Sequence, residues 1–148
     1  GETDELIGRK LAAAQAAGLI PVLCVGEDSA TREAGDQNRA VRAQLGAALP
    51  GIASQLLIAY EPVWAIGTGL TATPDQANDM HAVIKAEVNT LLGENTDIAV
   101  LYGGSVNPET AEALFECPHV DGALVGGASL SPGSFAAIAR CALKTLSE

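Results

Sequence analysis

The sequence predicts a parallel α/β fold, and three observations carry that expectation. An apolar, β-rich run followed by a longer stretch with helical spacing is repeated four times along the chain. The runs are apolar throughout, as in strands of a parallel sheet covered on both faces. Three helical stretches open on a polar residue and a proline, at Thr73-Pro74, Asn107-Pro108 and Ser131-Pro132, the pattern of a cap before a first helical position.

In chain order, an opening helix is expected over residues 4–17, capped by Thr3 and stopped by Gly18. The first strand follows as Pro21-Val22-Leu23-Cys24-Val25, and a second helix over 31–49. Leu56-Leu57-Ile58-Ala59-Tyr60 forms the next strand, and a long loop leads to the helix opened by Thr73-Pro74. Ala77, Met80, Ile84, Val88 and Leu91 set an apolar stripe on one face of that helix. The third strand, Ile98-Ala99-Val100-Leu101-Tyr102, leads through Gly103-Gly104-Ser105 to the helix opened by Asn107-Pro108. The last strand, Ala123-Leu124-Val125, leads through Gly126-Gly127 to the helix opened by Ser131-Pro132. No linker, charge run or low-complexity segment divides residues 1–148, so one domain is expected.

Composition narrows the function classes. The chain has 148 residues, 48% of them hydrophobic, enough for a core. With 18 acidic against 8 basic residues and a net charge of −10, it should repel nucleic acid and anionic membranes. Small molecules or copies of itself remain as partners. No apolar run approaches the roughly 20 residues of a membrane span, and residues 1–5 lack the basic start of a signal peptide, so the cytoplasm is expected. A start at Gly1 without methionine reads as a processed product or an excised piece. Cys24, Cys117 and Cys141 show neither a paired framework nor zinc-ligand spacing, and read as small buried side chains. His81 and His119 read as surface residues, and neither a metal nor a cofactor is expected.

The chemistry gathers where strands give way to loops. Glu61 follows an apolar strand and precedes an apolar loop with Pro62 at one end and Gly67 and Gly69 at the other. If that loop closed, the carboxylate would lose water and become a stronger base. Composition alone balances this reading against a buried structural glutamate. Gly103-Gly104-Ser105 and Gly126-Gly127 each precede a helix start, where free amides attract a phosphate dianion and glycine lets the backbone approach it. Glycine at such turns also serves sterics, so neither pair decides the matter alone. The three loops contain no Lys or Arg, which suits a small phosphorylated metabolite better than a nucleotide, and no nucleotide-binding glycine motif is present.

At these residues a resemblance becomes specific. The run Ala59-Tyr60-Glu61-Pro62-Val63-Trp64-Ala65-Ile66-Gly67-Thr68-Gly69 resembles the signature and mobile lid of the triosephosphate isomerase family. The likeness continues through Thr71-Ala72-Thr73-Pro74, Tyr102-Gly103-Gly104-Ser105-Val106 and the stretch from Val120 to Leu130, and reaches back to Cys24-Val25-Gly26-Glu27. It implies the C-terminal half of a (βα)8 barrel, with four parallel βα units preceded by a helix. It also implies that Glu61 moves protons between C1 and C2 of a triose phosphate. By the same resemblance Gly67, Ser105, Gly126 and Gly127 supply amides to the phosphate, and Trp64, Ala65, Ile66 and Thr68 belong to the lid. Tyr102 and Ser105 would latch the lid, Glu27 would accept a hydrogen bond from the Trp64 indole, and Cys24 is similar to a buried cysteine beside the active site. Lys85 and His119 stand where many members place a structural Arg-Asp pair, so that tie is expected to be weakened.

The same resemblance defines what is missing. A full barrel has eight strands in about 250 residues, and this chain supplies four. The family's Asn-x-Lys segment and the histidine ending its fourth strand find no counterpart here, so an enediolate would lack its ammonium and imidazole partners. Isomerase activity is therefore expected to be strongly impaired, with a silent phosphate-binding or purely structural half-barrel as the alternative. Four parallel strands also leave two edges and an inner face to be covered. A homo-oligomer or a complementing N-terminal half-barrel is expected to do so.

Overall fold

The computed structural model describes residues 2–52, 55–66, 68, 70–93 and 98–145. Helix α1 (Asp4–Ala16) opens on Thr3, whose hydroxyl accepts from the Leu6 amide at 3.3 Å. Strand β1 (Val22–Val25) follows, and then α2 (Ser29–Glu33) and α3 (Gln37–Ala48) occupy the span expected as one helix. The break falls at Gly35, whose φ of 76° is left-handed and terminates α2. Strand β2 (Leu57–Tyr60) is followed by a 3₁₀ turn (Val63–Ala65) and by α4 (Pro74–Leu92). Thr73 and Gln76 close a reciprocal capping box at the start of α4, with proline at its first position. Strand β3 (Val100–Tyr102) leads to α5 (Pro108–Phe115), boxed in the same way by Asn107 and Thr110. Strand β4 (Gly122–Ala123) and a second 3₁₀ turn (Gly127–Leu130) precede α6 (Pro132–Thr145).

The four strands form one parallel sheet in the order β1-β2-β3-β4, as the alternation predicts. The last strand is shorter and earlier than the expected 123–125. Its ladder ends when the Leu124 amide reaches the Tyr102 carbonyl, because β3 itself ends at Tyr102.

Strand register sorts the side chains into two faces. Leu23, Ile58 and Val100 form one row, and Val25, Tyr60 and Tyr102 the next. All six are buried in a common core with Val41 and Leu45 of α3, Met80 and Ile84 of α4, and Leu114 of α5. On the opposite face Cys24, Ala59, Leu101 and Gly122 align, with Val22 and Cys24 exposed at the β1 edge. The expectation that every strand is covered on both faces therefore fails for β1.

His81 corrects a second expectation. It lies on the apolar stripe of α4 and is fully buried, with its ring edge-on to Tyr60 at 5.9 Å and tilted against Tyr102 at 6.4 Å. Its Nδ1–H donates to the His119 carbonyl at 3.2 Å. Burial pushes its pKa down to about 4, opposed by that hydrogen bond and by Asp121. The unfolded chain therefore binds the extra proton between pH 6.5 and 4, and stability should fall as pH drops through that window. From these two pKa values the loss at pH 5 is about 2 kcal/mol. Melting curves at pH 5 and 7.5 should show a smaller difference in His81→Gln than in the parent, and equal differences would contradict this.

At the place of the expected Arg-Asp tie the structure has a different pair. Lys85 pairs directly with Asp121 at 2.7 Å, and the other Asp121 oxygen accepts from the Val100 amide at 2.7 Å. His119 contributes through its backbone, which accepts from His81 and donates to Asn78.

Candidate active site

Glu61 sits one residue beyond β2, where its amide still donates to the Val25 carbonyl at 2.8 Å and the Gly103 amide donates to the Tyr60 carbonyl at 2.7 Å. The strand ends thus hold Glu61 from both sides. Two glycines make room for it. A Cβ on Gly26 would overlap the Glu61 carbonyl oxygen and lie 2.6 Å from its carbon, and a Cβ on Gly103 would lie 2.6 Å from Glu61 Cγ. Gln44 of α3 secures the Gly26 peptide with two bonds of 2.9 Å, one from the Gly26 amide to Oε1 and one from Nε2 to its carbonyl.

Glu61 shares a cavity of about 560 Å³ with Ile66, Gly103, Gly104, Ser105, Gly126 and Gly127. Gly126 and Gly127 carry a distinctive signal. Neither has a positive φ, and a Cβ on either would meet nothing within 4 Å. Packing thus leaves room beside both positions, and both line the cavity. Gly104 differs, because a Cβ there would overlap the Tyr102 hydroxyl. Gly67 lies outside the described residues.

The remaining predicted residues among those described do not line this cavity. Tyr102 is buried, and the Ala72 amide faces its hydroxyl outside hydrogen-bonding geometry. Ala65 is buried in the 3₁₀ turn, whereas Thr68 is exposed and its hydroxyl donates to the Trp64 carbonyl at 2.8 Å. Glu27 is fully buried, and its Oε1 accepts from the Trp64 indole at 2.8 Å, the Tyr60 hydroxyl at 3.1 Å and Arg32 at 3.3 Å. Burial first, and then the Glu27 charge, push the Tyr60 pKa well up, so its hydroxyl stays a donor.

Cys24 departs from the sequence reading. It is exposed on the inner face, in a cleft of about 220 Å³ shared with Glu61, because the inner side of β1 is open. Partial burial, and then the Glu61 charge, push its thiol pKa up, which makes it a poor nucleophile. Cys117 and Cys141 are half-buried. Sequence reasoning also missed Gln44, Arg32 and the steric role of Gly26 and Gly103. Gly26, inside the Cys24-Glu27 run, and Gly103, in the loop after the third strand, gave a signal, but not of contact with Glu61.

Among the described residues no cluster of His, Cys, Asp or Glu could hold a metal ion, and no helix is long and apolar enough to cross a membrane.

Comparison with known proteins agrees with this geometry. Residues 1–142 match the family model described as triosephosphate isomerase. Relatives named triosephosphate isomerase include one from Pseudomonas paraeruginosa, 52% identical over 96% of this chain and 59% of its own length. Another, from Xanthomonas campestris pv. campestris, is 54% identical over 95% of this chain and 58% of its own length. A third, from Pseudomonas fluorescens, is 53% identical over 96% of this chain and 59% of its own length. The chain thus spans somewhat over half the length of the curated relatives it matches. With four parallel strands, a glutamate beyond the second and open glycines beyond the fourth, the chain belongs to the triosephosphate isomerase family.

Proposed function

We propose that this chain carries the base and the phosphate-binding loops of a triose-phosphate isomerase, acting in the cytoplasm without a cofactor. Glu61 takes a proton from C1 of dihydroxyacetone phosphate, and the C–H electron pair forms a C1–C2 double bond as the carbonyl electrons move to oxygen. Return of the carbon proton to C2, with transfer of the C1 hydroxyl proton to the C2 oxygen, yields glyceraldehyde 3-phosphate. Amides of Ser105, Gly126 and Gly127, with Gly67, hold the phosphate, while Trp64, Ala65, Ile66 and Thr68 cover the site and Tyr102 and Ser105 latch that cover. One observation carries the reading: Glu61 and the sterically open Gly126 and Gly127 share one cavity.

The same cavity motivates impairment. No lysine or histidine is among its lining residues, and each preorganised donor missing from a developing oxyanion costs about 10²- to 10³-fold. This observation also favours a second reading, a phosphate-ligand binding half-barrel without turnover. Closure of the open face by a second copy, or by a complementing half-barrel, belongs to both readings.

Solvent-hydrogen exchange into dihydroxyacetone phosphate, with solution mass measured on the same sample, tests these readings. Slow exchange that inorganic phosphate suppresses is expected, from a species heavier than the 15.0 kDa chain. Phosphate binding without exchange would select the second reading, and absence of both would remove the site. A cooperative 15.0 kDa monomer would remove self-association.

A further inference from the structure

Arg32 lies on the short helix α2, outside every role assigned so far, yet it touches two residues that hold the segment leaving Glu61. Its Nη1 donates to Glu27 Oε1 at 3.3 Å, and its guanidinium carbon stands 5.3 Å from the centre of the Trp64 ring. The Glu27 side chain is fully buried and that of Arg32 is 22% exposed, so the pair is shielded from water on one side. A buried carboxylate needs a cation in contact to stay charged at tolerable cost. The oxygen that Arg32 contacts is the one to which the Trp64 indole donates at 2.8 Å. All three donors converge on Oε1, and Oε2 is buried without a partner among the described residues. Oε1 therefore fixes the indole from its edge while Arg32 covers its face.

We infer that Arg32 is a positioning residue: by pairing with Glu27 and stacking on Trp64, it anchors the 3₁₀ turn Val63–Ala65 and so sets the direction in which the chain leaves Glu61. The turn begins two residues after Glu61, and its Val63 amide already donates to the Glu27 carbonyl at 3.0 Å, so both the backbone and the side chain of Glu27 hold it. Arg32 completes this hold from a separate helix. The inference rests on the proposed function in one respect, namely that the segment after Glu61 belongs to the active site.

Trp64 is the only tryptophan in the chain, so an ¹⁵N-labelled sample gives one indole N–H resonance. Arg32→Met should raise the solvent-exchange rate of that indole roughly three- to tenfold, the range expected for loss of a partly desolvated cation–π contact and a charged partner. Arg32→Lys keeps the charge but loses the planar face, and its rate should fall in between. If Arg32 only stabilised α2, Arg32→Met would lower the melting temperature and leave the indole rate unchanged well below it, which would overturn the inference. Should Arg32→Met fail to fold, Arg32→Lys decides: a raised rate supports the anchor, and the parent rate overturns it. Titrating inorganic phosphate against the Gly126 and Gly127 amides in the parent reads the site independently. Unmoved amides beside a raised indole rate would leave the anchor standing and remove the phosphate site.

Discussion

Glu61→Gln should abolish most of whatever exchange the purified chain supports, a fall of about 10²- to 10⁴-fold, the usual worth of general-base assistance. The substitution is nearly isosteric. Glutamine fills the same space over Gly103, where the glutamate Cγ already leaves no room for a methyl group, so binding and folding should survive. Only the ability to accept a proton from carbon is removed. The measurement is exchange by parent and variant prepared identically, with contaminating host isomerase excluded. Equal low rates in the two would make Glu61 idle and favour the binding reading. Turnover at the level of a full-length member would show that an electrophile reaches the cavity from residues not yet identified there.

Gly26→Ala should damage both stability and site. The added methyl would overlap the Glu61 carbonyl oxygen, which is backbone and cannot rotate away as a side-chain tip could. Neighbouring bonds resist retreat on both sides: the Glu61 amide is bound to the Val25 carbonyl, and Gln44 grips the Gly26 peptide twice. Overpacking of this kind costs typically about 1–3 kcal/mol and sometimes more, or roughly 3–10 °C in melting temperature for a chain of this size. Gly46 is the control. It lies inside α3, where a Cβ would meet nothing within 4 Å, and alanine there should stabilise by about 0.5–1 kcal/mol. A Gly26→Ala protein that melts with the parent would show that the β1 and β2 ends can separate freely.

The elements with local causes were legible in the sequence. Thr73-Pro74 and Asn107-Pro108 announced helix starts because a cap and a fixed φ act within four residues, and the structure adds the reciprocal Gln76 and Thr110 bonds. Apolar runs announced strands for a similar reason. Features that depend on distant neighbours were not legible. Gly35 reads as an ordinary helix blemish until its left-handed φ splits the segment. His81 looked polar, and only the tyrosines of two strands make its position a core one. Cys24 looked buried because its strand is apolar, but burial there depends on what covers the inner face. At the candidate site, Glu61 and the glycine pairs stood out by their position after strands. Gln44 and Arg32 lie on helices, and nothing in their local sequence tells which loop they reach.

The inner row of Cys24, Ala59, Leu101 and Gly122 has a consequence for whatever lies against it. Its relief is low at the second and fourth strands and raised only at Leu101. A mating surface must carry the inverse relief, with bulk above the alanine and the glycine, if the interior is to reach normal protein density. The same row set strand for strand against its own copy would bring Leu101 against Leu101 and small residue against small residue, leaving a hollow whose lining atoms lose their dispersion contacts. The shape of this row therefore asks for a dissimilar surface, or for a copy displaced across the strands so that Leu101 fills the depression over Ala59 or Gly122.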